Sequence, residues 1–281
     1  MGAYVSVFVA NLLVGGCIGL TGIAGFLLPI FYVGALGLAP VEALALSFAA
    51  FLVSGVLGTP AYRATGNLPT RETALLAAGS LVGALVGVRV GLLLPEQVLT
   101  ALLYVVVLCS GVSVLVRMRP RRGSGGGDVL SADAGEVGLG AEAGGARDDS
   151  PAVVGELGSR PAAAYVLIGV ATAVICAATG AGGPVLVVPI LMLLGLSPRS
   201  AVGVGLADSV AIAVPSAVGY LVGGGVFSAV WALLPAALVG HAVGAVLGSR
   251  NAHRIDAGVL KAIVAVGSVA VALYKLVPML L

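Results

Sequence analysis

The chain has 281 residues, 59% of them hydrophobic and 9% charged, with a formal net charge of +2. Soluble domains carry roughly a quarter charged residues, so an ordinary soluble enzyme is excluded. No basic cluster interleaves with aromatics, which argues against nucleic acid as a partner.

The first stretch, residues 1–20, is apolar and has no basic leading region, and reads as a retained membrane helix rather than a removed signal. It ends in a glycine-bearing break, Thr21-Gly22-Ile23-Ala24-Gly25. A short apolar segment (26–38) follows and stops before Pro40. The runs Ala43–Tyr62, Thr73–Leu94 and Gln97–Val116 come next, each near the ~20 residues that cross a bilayer. Residues 119–161 are rich in Gly, Ala, Ser and Asp and lack aromatics. Such a stretch cannot bury enough apolar surface to fold alone, so it reads as a disordered cytoplasmic linker. Beyond it the pattern restarts. Thr179-Gly180-Ala181-Gly182-Gly183 forms a second break, 185–196 a second short segment, and Ser200–Val222 and Phe227–Gly248 further long runs.

The predicted fold is therefore an all-α polytopic membrane protein of two homologous halves, 1–118 and 162–281. The features recur in order. The two breaks match, then Pro29 with Pro189, Pro40 with Pro198, Ala43 with Ala201, and Tyr62 with Tyr220. The glycine rows Gly83/Gly87/Gly91 and Gly240/Gly244/Gly248 also match, and one glycine per turn suits close helix packing. Charge suggests opposite orientations. Arg63–Arg71 and Arg117–Arg122 are basic, whereas in the second half the bias moves to Arg250–Arg254. By the positive-inside rule this predicts inverted-topology repeats, with Lys275 as a mild counterweight.

Irregular backbone at membrane depth survives only where protein or water covers it. Paired breaks at matching places of two halves are the best sequence pointer to a transport site. The expected substrate-binding residues are Thr21, Gly22, Gly25, Thr179, Gly180, Gly182 and Gly183, with Ser47 and Ser209 as polar lining. Free N–H groups at a helix start would face an anion, and glycine would let it approach closely. Asp208 and His241 lie inside apolar runs and are the candidates for carrying a coupling proton. Arg89 reads as a residue reaching the interface, and Cys17, Cys109 and Cys176 as buried small hydrophobes with no metal-binding spacing. No phosphate loop, nucleophile elbow or metalloprotease motif is present, so neither an enzyme, a cofactor nor a metal is expected.

The stretch Gly19 to Pro29 followed by Gly37-Leu38-Ala39-Pro40-Val41-Glu42-Ala43 resembles the sulfite exporter TauE/SafE family. So does Thr179 to Pro184, then Pro189 and Gly195-Leu196-Ser197-Pro198-Arg199-Ser200-Ala201. A Gly-Thr-Ser-Leu-like box of that family reads Ala45-Leu46-Ser47-Phe48 in the first half and Gly203-Val204-Gly205-Leu206 in the second. The resemblance implies secondary transport, often export, of small sulfur-containing or organic anions such as sulfite or sulfonates across the cell membrane. The partners expected are the anion, the lipid bilayer, a coupling proton or cation, and a second copy of the chain. A non-transporting scaffold or assembly factor and an anion channel are the alternatives.

Overall fold

The computed structural model describes residues 2–21, 24–64, 66, 68–118, 161–225, 228–250 and 257–280, and holds only helices among them. The expected linker, 119–161, lies outside the described residues apart from Pro161. The first half runs α1 (Gly2–Thr21), a 3₁₀ turn (Ala24–Phe26), α2 (Leu27–Gly34), α3 (Pro40–Ala64), α4 (Thr70–Leu93) and α5 (Glu96–Met118). The second runs α6 (Ala162–Thr179), α7 (Gly183–Leu193), α8 (Pro198–Gly223), α9 (Ser228–Arg250) and α10 (Ala257–Leu280). Among the described residues five helices are long and apolar enough to cross a membrane, in α3, α4, α6, α8 and α9. Their outward faces carry exposed aliphatics, such as Leu81, Leu85, Val239 and Val243, as a helix against lipid should.

The short elements end as expected, and for local reasons. At the ends of α2 and α7, Gly37 (φ +65°) and Gly195 (φ +96°) reverse the chain in the left-handed region open to glycine. The next helices start at matching prolines, where the missing N–H costs nothing. Their caps differ. Glu42 accepts from the Ala39 N–H at 3.1 Å, whereas Ser197 accepts from the Ser200 N–H at 3.2 Å.

Helix pairing repeats when the halves are exchanged. The most extensive contacts join α4 to α6 and α1 to α9, which correspond to each other. Next, α3 pairs with α8 and α5 with α10, each pair being its own counterpart. The contact of α4 with α8 answers that of α9 with α3.

Glycines set the two largest contacts. A Cβ on Gly79, Gly83 or Gly87 would overlap the carbonyl oxygens of Val166, Val170 and Val174 on α6. On α9, Gly240, Gly244 and Gly248 meet the carbonyls of Phe8, Leu12 and Gly16 on α1 in the same way. With no hydrophobic drive between helices in lipid, such backbone approach supplies the packing. The structural register corrects the sequence match by one turn. Gly79/Gly83/Gly87 is the counterpart row, and Gly91 instead makes room for the Tyr220 hydroxyl.

Candidate functional site

The second break shows why its glycines are needed. Gly180 (φ +70°) caps α6, its N–H donating to the Cys176 carbonyl at 2.8 Å. A Cβ there would overlap Leu44 and come within 3.1 Å of Pro29. Gly182 follows at φ 72°, ψ 138°, a conformation that side-chain-bearing residues avoid. The Ala177 carbonyl near the end of α6 accepts the Tyr220 hydroxyl at 2.8 Å, so α8 braces the break. The first break is built differently. Its 3₁₀ turn runs into α2 through Phe26, which is itself helical, so the second segment of that half begins at Ala24 rather than Gly25.

Both breaks meet at the ring of Phe51 on α3. A Cβ on Gly25 would lie 3.0 Å from Phe51 Cε1, and one on Gly182 would lie 3.6 Å from Phe51 Cε2. Gly183 packs instead on Ser209 of α8, where a Cβ would be 3.1 Å from the Ser209 Cα. Beside these contacts lies a cavity lined by Ile18, Gly25, Phe51, Ser54, Gly182 and Ser209, among others. It offers about 20 Å³ to the centre of a water-sized sphere, room for roughly one water molecule. Every lining residue among those described is uncharged.

The polar donors are arranged less simply than the sequence suggested. The α7 N-terminus has no side-chain cap, Pro184 in its first turn carries no N–H, and the Val185 N–H donates to the Gly182 carbonyl at 3.3 Å. The Thr179 hydroxyl donates to the Ile175 carbonyl at 2.7 Å and Ser47 to the Ala43 carbonyl at 2.7 Å, and neither residue lines the cavity. Ser209 lines the cavity, but its hydroxyl donates to the Leu206 carbonyl at 2.7 Å. In this arrangement each of these hydroxyl protons is held by the residue's own helix. The side chain of Thr21 and the whole of Gly22 lie outside the described residues.

Asp208 and His241 are both fully buried. Ser80 of α4 stands beside the Asp208 carboxyl, yet donates to the Gly169 carbonyl at 3.2 Å. Neither carboxyl oxygen completes a hydrogen bond among the described residues. Cys176 is the other close neighbour, and its Sγ reaches the Gly182 carbonyl at 3.5 Å. One side chain therefore separates the carboxyl from the second break. His241 Nε2 bonds Ser54 Oγ at 2.5 Å, and Nδ1 has no partner among the described residues.

Sequence reading passed over Ser54, Ser80 and Asn11. Asn11 is buried on α1 and donates to the Tyr32 hydroxyl at 2.6 Å. Single hydroxyls or amides in apolar runs carry no spacing signal, and only the packing of α1 on α2, of α3 on α9 and of α4 on α6 and α8 brings them into clusters.

A family model described as sulfite exporter TauE/SafE matches residues 5–275. No curated protein and no solved structure matches.

Proposed function

Because the chain belongs to the sulfite exporter TauE/SafE family, we propose that it is a secondary transporter that moves a small sulfur-containing or organic anion, such as sulfite or a sulfonate, out across the cell membrane. The family is one of membrane transporters for sulfite and related anions, and the apolar helices fit a membrane protein. The observation that carries the finer reading is the meeting of the two breaks on either edge of Phe51, beside a neutral cavity.

In this reading Gly25, Gly182 and Gly183 let the anion approach backbone N–H groups, and the positive end of α7 favours its charge. An uncharged lining suits an anion that must also leave, since a fixed cation would hold it. A cavity with room for one water is too small for sulfite, so this is a closed arrangement that must widen to load. Exchange symmetry in the helix pairing, with five α-helices in each half among the described residues, supports inverted-topology repeats that rock about the α3–α8 contact. Asp208 carries the coupling proton. A buried, unpaired carboxylate beside an anion would repel it, whereas a neutral carboxyl would not.

The test is flux into proteoliposomes, with sulfite, sulfate, thiosulfate and methanesulfonate each offered under an imposed pH gradient. Saturable movement of one of them supports the reading. Folded, inserted protein that moves none of them returns the weight to a scaffold.

A further inference from the structure

The cavity has two hydroxyls among its described lining residues, Ser54 and Ser209, and they are not equivalent. Ser209 gives its proton to the Leu206 carbonyl, as Ser47 and Thr59 on α3 give theirs to Ala43 and Gly55. Ser54 breaks this pattern. Its Oγ bonds His241 Nε2, on a different helix and in the other half of the chain.

That bond can be donated from either side, and the rest of the ring discriminates. If Ser54 donates, the imidazole proton sits on Nδ1, which is fully buried and has no acceptor among the described residues. If Nε2–H donates, Nδ1 is left as a bare acceptor. Among backbone groups an orphaned buried N–H is the rarer of the two. The second tautomer is therefore favoured, and in it the Ser54 oxygen is an acceptor and its own O–H is uncommitted. Ser54 lines the cavity, so that proton has an anion-sized partner to turn to once the cavity widens.

We propose that Ser54 is the side-chain donor to the transported anion and that His241 is its positioning residue, holding the hydroxyl oxygen so that the proton points into the cavity. This deepens the transport reading and rests on it. It also gives His241 work that needs no change in its charge. The recognised chemistry is a compact oxyanion accepting one hydroxyl and the backbone N–H groups of the second break.

The experiment measures KM and kcat for whichever of sulfite, sulfate, thiosulfate and methanesulfonate gives saturable wild-type flux. Ser54→Ala and His241→Leu should each raise KM about tenfold or more, the loss of one hydrogen bond to a charged group. The double variant should be no worse than either alone, since both remove one bond. Ser54→Thr keeps the hydroxyl, and His241→Gln keeps an N–H near the Nε2 position, so both should stay within a few-fold of wild type. Elution profile and melting temperature in detergent are read alongside. Saturable wild-type flux with KM unchanged in Ser54→Ala overturns this proposal and leaves the transport reading standing. Equal KM changes in His241→Gln and His241→Leu overturn the positioning role. No wild-type flux of any of the four anions overturns both.

Discussion

Phe51 and Ser209 occupy matching places in the two halves, each against the glycine of its own half's break: Phe51 on Gly25, Ser209 on Gly183. The pair is symmetric in position and asymmetric in size. The aromatic ring and the small hydroxyl both line the cavity, so its two walls differ in bulk.

The left-handed glycines separate conformation from crowding. Gly37 and Gly180 have nearly the same φ, +65° and +70°, but a Cβ at Gly37 meets nothing within 4 Å. Gly37→Ala should cost about 1–2 kcal/mol, the left-handed penalty alone. Gly180→Ala should cost about 1–3 kcal/mol more, from overlap with Leu44 and Pro29. Thermal unfolding in detergent compares the two. Equal losses would mean that the second break is not held against α2 and α3.

The glycine rows should behave as equals. Gly83→Ala and Gly244→Ala both drive a methyl into facing backbone, on α6 and α1 respectively, which cannot move aside like a side-chain tip. Each should destabilise by about 3 kcal/mol, and each should lower the yield of monodisperse protein on size exclusion. Gly267→Ala on α10, where a Cβ meets nothing, should leave yield unchanged. A tolerant Gly244 beside an intolerant Gly83 would break the correspondence between the halves.

Asp208→Asn keeps shape and neutrality but cannot release a proton. The expected outcome is normal elution, anion exchange near wild-type rate, and loss of accumulation driven by a pH gradient. Counterflow and pH-driven uptake in the same vesicles read both. Unimpaired pH-driven uptake would remove Asp208 from the coupling role.

Much of this architecture was legible in the sequence because glycine and proline punctuate apolar runs at matching places. Pro40 and Pro198 start helices, Gly37 and Gly195 reverse the chain, and both breaks interrupt the helix pattern near their expected places. The glycine rows were visible too, but their register slipped by one turn. A row with one glycine per turn matches itself when shifted by four residues, and only the facing carbonyls of Val166 and Phe8 decide. In the candidate site the breaks were legible in the sequence and the hydroxyls' hydrogen-bond partners were not. Thr179, Ser47 and Ser209 looked like donors, yet each proton goes to its own helix, a local choice that composition does not encode. Ser54 acquires its role only through His241, far away in the chain.

The most direct test fills the cavity with the side chain that the other half already uses. Ser209→Phe would set a ring against Gly183 as Phe51 sets one against Gly25, without adding charge. Flux of the transported anion in proteoliposomes is compared with wild type, with folding verified by elution and melting temperature. The account predicts saturable wild-type flux and none above empty vesicles in the folded variant. Undiminished flux through folded Ser209→Phe would contradict it, because the anion would then cross somewhere other than between the two breaks.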